Sequence, residues 1–115
     1  MNEPHFFDAN EQEWMPHPQF AGILTKALET RATYPAASVQ LVRVEPGVTI
    51  SRHTHPLETE TAYVLAGQGV ITLGEAEHPL LAGTGLTIPP GIPHSLTNTG
   101  AEPMELYAIH IPPTR

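Results

Sequence analysis

Residues 38–67, SVQLVRVEPGVTISRHTHPLETETAYVLAG, decide how this chain folds. Val39–Val44 is rich in β-branched residues and closes on Glu45-Pro46-Gly47. Val48–His55 resumes as a second extended piece before the polar bend Pro56–Thr59, and Ala62–Ala66 follows it up to Gly67. Downstream, Gly69–Leu73, Pro79–Leu81, Leu86–Ile88, His94–Asn98 and Met104–Ile111 repeat the form, with Gly, Pro or Asn in nearly every gap. Short strands with a turn signal roughly every eight to twelve residues predict a closed all-β sandwich or barrel. Upstream, Ala21–Arg31 is ambiguous. Phe20, Leu24 and Leu28 recur at helical spacing, whereas Gly22 and Thr33-Tyr34-Pro35 frame it like one arm of a hairpin, and it is read as a strand. Residues 1–20 are polar and broken by Pro4, Pro16 and Pro18, so they read as an arm laid over the domain and anchored by Phe6, Phe7, Trp14 and Phe20. The plan is an arm over 1–20 and one barrel domain over 21–115.

The 115 residues suffice for one core and are too few for two ordinary domains. With 40% apolar and 15% charged residues the chain has globular composition, while 13 Pro and 9 Gly argue against a helical bundle. A net charge of −7 provides no basic footprint for nucleic acid or for an anionic membrane surface. There is no Cys, so disulfides, a thiolate nucleophile and Cys-based zinc sites are excluded. No run approaches the ~20 apolar residues of a membrane helix, and a soluble cytoplasmic protein is expected.

Within the opening stretch, His53 and His55 lie two apart on an extended piece and therefore project from one face, able to converge on one ion. Glu60 lies beyond the bend, where a returning antiparallel strand would bring its carboxylate beside the two rings; Glu58 competes for the same place. A second stretch, GTGLTIPPGIPHSLTN over Gly83–Asn98, delivers His94 at the start of a strand. Its tight turn Pro89-Pro90-Gly91 asks for positive φ at Gly91. Three imidazoles and one carboxylate suit Mn, Fe, Ni, Zn, Co or Cu and leave coordination positions open.

At these residues the chain resembles the cupin superfamily. One family signature is Gly, five residues, His, one, His, three or four, Glu, six, Gly, and it falls on Gly47, His53, His55, Glu60 and Gly67. The other is Gly, five, Pro, one, Gly, two, His, three, Asn, on Gly83, Pro89, Gly91, His94 and Asn98. The intervening residues, Gln68–Ala82, match the short connection of small single-domain members. The resemblance implies a double-stranded β-helix, or jelly-roll-like barrel, with His53, His55, Glu60 and His94 as ligands of one divalent transition metal per chain in its mouth. By analogy it also implies a homodimer in which the arm packs on a second subunit.

The remaining histidines separate by context. His5, His17 and His78 sit in polar or turn-rich sequence and read as surface residues, as do Asp8 and Glu75-Ala76-Glu77. His110 alternates with Met104, Leu106 and Ala108, a register that would turn it inward beside the ligands, but a satisfied structural histidine is the reading preferred. Arg52 should face away from His53. Gly67-Gln68-Gly69 and Gly83-Thr84-Gly85 lack the context of a dinucleotide fingerprint and are read as hairpin turns. Ala62, Val64, Ile88 and Leu96 would line a compact, partly apolar pocket.

The function expected is therefore metal-dependent chemistry on a small organic molecule, of oxygenase, isomerase, decarboxylase or lyase type. The alternatives are a non-catalytic ligand-binding or sensor protein and a purely structural metal. No acid or base is assigned; Glu58, Tyr63 and His110 are the remaining candidates for such a role.

Overall fold

The structure, a computed structural model, describes residues 3–115, so the first two residues of the arm fall outside it. Ten strands follow a short 3-10 turn at Ala9–Glu11: β1 Met15–Pro16, β2 Ile23–Glu29, β3 Ser38–Val44, β4 Thr49–His53, β5 Thr59–Ala66, β6 Gln68–Leu73, β7 Ala76–Leu81, β8 Gly85–Ile88, β9 His94–Asn98 and β10 Met104–Ile111. They form a six-stranded sheet, β1-β2-β3-β10-β5-β8, and a four-stranded sheet, β4-β9-β6-β7. All pairings are antiparallel. No helix among the described residues is long and apolar enough to cross a membrane.

The ambiguous stretch after Phe20 is strand β2, and its β-hairpin with β3 decides the matter: cross-strand pairing from Ile23–Val44 to Glu29–Val39 satisfies backbone groups that an isolated helix there would satisfy only locally. Alternation along β3, β9 and β10 is strict, with Ser38, Gln40, Val42 and Val44 turned inward on β3. Register then sorts the interior by polarity. Met104 pairs with Val44 at one end and His110 with Ser38 at the other. The first end is a dry floor in which Val44, Val64 and Met104 are all 0% exposed. Toward the second end the inward side chains become polar.

Asn98 closes the floor. Its amide nitrogen donates to the carbonyls of Val44 and Glu102, both at 2.9 Å, and its oxygen accepts from Gly100 N–H, so a buried polar group is fully occupied. The two Gly-X-Gly segments are not hairpin turns. Each lies where the chain crosses between sheets, β5 to β6 and β7 to β8, as two-layer closure requires. Gly67 shows why side chains are excluded at one crossing: φ is +85° and an added Cβ would lie 2.8 Å from the Cα of Met104.

The arm folds against its own barrel. Trp14 lies under Lys26 Nζ, 4.9 Å from the ring centroid, and Phe20 packs against the core, but Phe6 is 88% exposed and anchors nothing. β1, inside the arm, pairs with Leu24 and Thr25 of β2.

Candidate functional site

The polar end of the interior opens into a cavity of about 370 Å³, within the size range of small-molecule sites. On the four-stranded sheet, β4 and β9 place His53 opposite His94, with ring centroids 4.2 Å apart. His55 follows β4, its ring 5.1 Å from that of His53 and 5.2 Å from that of His94. One nitrogen from each of the three lies within 4.8 Å of the others, a group that could hold a metal ion.

From the facing sheet come Glu60 on β5 and His110 on β10, which are cross-strand partners. Glu60 Oε1 accepts a hydrogen bond from His110 Nε2 at 3.1 Å, lies 3.1 Å from His55 Nε2, and approaches His94 Nε2 to 3.6 Å. His55, Glu60 and His110 form a second potential metal-holding group, so two triads share His55.

The route by which Glu60 arrives corrects the sequence reading. β5 is not the antiparallel neighbour of β4; it pairs with β8 and β10, and the carboxylate meets the rings across the barrel interior. The bend 54–58 carries the chain from one sheet to the other, and local alternation cannot distinguish that crossing from a hairpin. Glu58 lines the cavity but belongs to neither triad, its carboxylate accepting Leu57 N–H at 3.3 Å. Tyr63 is removed as a candidate acid or base, because odd positions of β5 face outward and it is 48% exposed. Ala62 and Leu96 line the cavity as expected, whereas Val64 and Ile88 lie in the core without reaching it.

Two histidines proved more central than expected. His110 is buried at 4% exposure and bonded to Glu60, as the alternation of β10 allowed. His17 is half-buried at the cavity mouth, its ring 4.9 Å from that of Phe20, which in turn lies 5.0 Å from the His53 ring. No local pattern marks His17; only the β1–β2 pairing brings it there. His5 and His78 are exposed as read, and Arg52 points away from the cluster to donate to the Gly74 carbonyl at 3.0 Å.

The protonation chemistry suits a cation. His53 Nδ1 lies 2.8 Å from the Ser51 carbonyl and His94 Nδ1 2.9 Å from that of Ile92; each Nδ1 therefore donates, and the Nε2 lone pair is aimed into the cluster. His94 Nε2 is buried with no hydrogen-bond partner. Such an orphaned acceptor is costly in a dry interior unless something ligates it. Burial pushes the Glu60 carboxyl up, but the His110 hydrogen bond and the nearby His55 and His94 imidazoles outweigh it and hold the group well below the ordinary carboxylate value. Burial alone would lower His94, yet Glu60 and the Ile92 carbonyl raise it above an ordinary histidine. Burial lowers His53, and burial together with the Arg115 guanidinium lowers His17.

Two facing antiparallel sheets with an imidazole–carboxylate cluster at the open end define a cupin-type jelly roll. The chain belongs to the cupin family: the family described as "Cupin domain" matches residues 40–110. It is 42% identical over 77 residues to protein SchB of Streptomyces halstedii, covering 65% of this chain and 56% of SchB. The chain thus spans only about half the length of that relative. It is 34% identical over 112 residues to polyketide synthase CurC of Streptomyces cyaneus, covering 96% of this chain and 70% of CurC. The oxalate-binding protein of Thermotoga maritima is 33% identical over 70 residues, 61% of this chain and 58% of that protein. Among solved structures, that of a predicted oxalate decarboxylase from Thermotoga maritima superposes with a TM-score of 0.84 at 25% identity, covering 93% of this chain and 98% of the other. KdgF from Halomonas sp. superposes at 0.81 with 18% identity over 95% and 94% of the two chains, a likeness of fold.

Proposed function

We propose that His53, His55, Glu60 and His94 hold one divalent transition metal, drawn from Mn, Fe, Ni, Zn, Co and Cu, and that the chain is a metal-dependent enzyme acting on a small organic molecule in the adjoining cavity. The observation that carries this reading is the buried, partnerless Nε2 of His94, aimed at the His53 and His55 nitrogens beside an apolar cavity. Bound there, the metal would polarise an oxygen of the molecule and leave positions open for it. The protein's own residues supply the rest. Ser51 and Ile92 carbonyls fix the two Nδ1 protons, His110 orients the carboxylate of Glu60, and Ala62, Leu96 and Leu106 exclude water from the cavity wall. One relative, named an oxalate-binding protein, favours a second reading in which the site binds a small oxygen-rich ligand without turning it over.

The test is elemental analysis of protein purified without added metal or chelator, beside His55→Ala. One equivalent of a transition metal in the wild type and little in the variant is expected; equal contents would overturn the ligand set. The metal-loaded protein is then offered β-diketones, catechols and keto acids, with turnover supporting the enzyme reading and binding without turnover the second one.

A further inference from the structure

The cavity holds one fixed positive charge that the metal site does not use. Arg115 lines it, and Nη1 of its guanidinium donates to Thr25 Oγ1 at 3.2 Å and to Gln40 Oε1 at 3.0 Å. Thr25 and Gln40 point inward from β2 and β3, between the apolar floor and Ser38, and are 1% and 8% exposed. Buried polar side chains at core positions are costly without partners, and here the partner is this guanidinium. The segment that carries it is tied down rather than trailing. Arg31 N–H donates to the Arg115 carbonyl at 2.8 Å, Arg31 Nη2 to the Pro113 carbonyl at 3.2 Å, and Thr114 N–H to Ser38 Oγ at 3.0 Å.

No carboxylate of the described residues lies within ion-pair distance of Arg115. Glu60, which shares the cavity, has its Oε1 committed to the imidazoles. A guanidinium offers a planar fork of five donors, and only Nη1 has protein partners here. A permanent cation held by two buried neutral groups beside apolar walls is matched by an anion from outside the chain. The fork's planar, paired donors fit a carboxylate in particular.

We propose that Arg115 is a specificity-determining residue that pairs with a carboxylate on the small molecule taken into the cavity, whose remaining carbon skeleton meets the apolar wall. This rests on reading the cavity as a small-molecule site.

The experiment titrates the protein as purified, and its Arg115→Gln and Arg115→Lys variants, with butyrate and with the isosteric neutral amide butyramide, by calorimetry. The metal content of every sample is measured in parallel. The wild type is expected to take butyrate about tenfold more tightly than butyramide, Arg115→Gln to lose that preference, and Arg115→Lys to keep part of it through charge without the fork. A preference for butyrate that survives in Arg115→Gln, or a wild type that does not distinguish the two compounds, overturns the proposal. The metal analysis separates this from the reading beneath it. A metal-free wild type with an Arg115-dependent preference would support the clamp and refute the metal, and a metal-loaded wild type whose preference ignores Arg115 would do the reverse.

Discussion

Gly91 donates its backbone N–H to the carbonyl oxygen of His55 at 2.8 Å, so the turn that launches His94 is fastened to the loop that carries His55. The two imidazoles are therefore positioned by one shared backbone contact as well as by their strands. Gly91 has φ +81°, as its place after Pro89-Pro90 required, and a Cβ there would meet nothing within 4 Å.

Substituting Gly91→Val should thus act through the backbone rather than through a clash, at roughly 1–2 kcal/mol for forcing an L-residue into the left-handed region. Metal affinity should fall together with the melting temperature, while Gly91→Asn, which tolerates that region, should lie near the wild type. Metal titration and thermal melts of both variants check this; an unaffected Gly91→Val would show that the turn does not set the site.

His110→Gln should leave the fold intact and reduce metal affinity by about 10–100-fold, the usual cost of losing a side chain that orients a ligand. The direct readout is the metal dissociation constant by competition with a chelator of known strength. An unchanged constant would mean that Glu60 needs no partner on β10.

The metal-free chain should show a distinct acid limb. Glu60 is held below its ordinary value in the folded state, so its contribution to stability is present above that ordinary value and is lost as pH falls through the folded one. Near neutrality the histidines oppose one another. His94, raised, loses its contribution as pH climbs, whereas His53, lowered, gains as pH climbs through its unfolded value. Wild type and Glu60→Gln should therefore differ in melting temperature at pH 7, with the difference narrowing as pH falls below the ordinary carboxylate value; parallel curves would contradict the assignment.

Binding should also release protons. Any proton on a ligating nitrogen must leave, and the raised His94 extends that competition to higher pH than an ordinary histidine would. Calorimetry of metal addition in buffers of different ionisation enthalpy should show proton release that grows as pH is lowered from 8 to 6.

At the floor, Met104→Ala removes a side chain that is 0% exposed and sits against Gly67 and Gly69, and should cost about 2–5 kcal/mol. Denaturant unfolding measures it, and the metal site at the opposite end of the interior should keep its affinity.

Strand positions and the imidazole set were readable in the sequence because both depend on short spacings. Alternation decides which face Leu96 or Ala108 takes, although on β4 a bulge between Ile50 and His53 turns both of those residues toward the cavity, and Pro89-Pro90-Gly91 dictates a turn whatever surrounds it. What could not be read depends on which sheet a strand joins. Glu60 was placed on a returning neighbour, since 56-PLET-59 looks the same whether it reverses the chain or carries it across. Tyr63 lies between inward Ala62 and Val64, so alternation alone turns it outward. His17 and Arg115 come to the cavity only through contacts of β1 with β2 and of residues 112–115 with the β2–β3 hairpin, which no spacing in the chain announces.

Because Glu60 and His110 hang from one sheet and His53 and His94 from the other, the gap between donors is a property of barrel girth. Bulk inserted at Leu96 or Leu106, which line the same cavity, should spread the sheets and widen the gap between the donors. For the metal proposed at this site, preference by ionic radius would then depend on hydrocarbon that supplies no ligand atom.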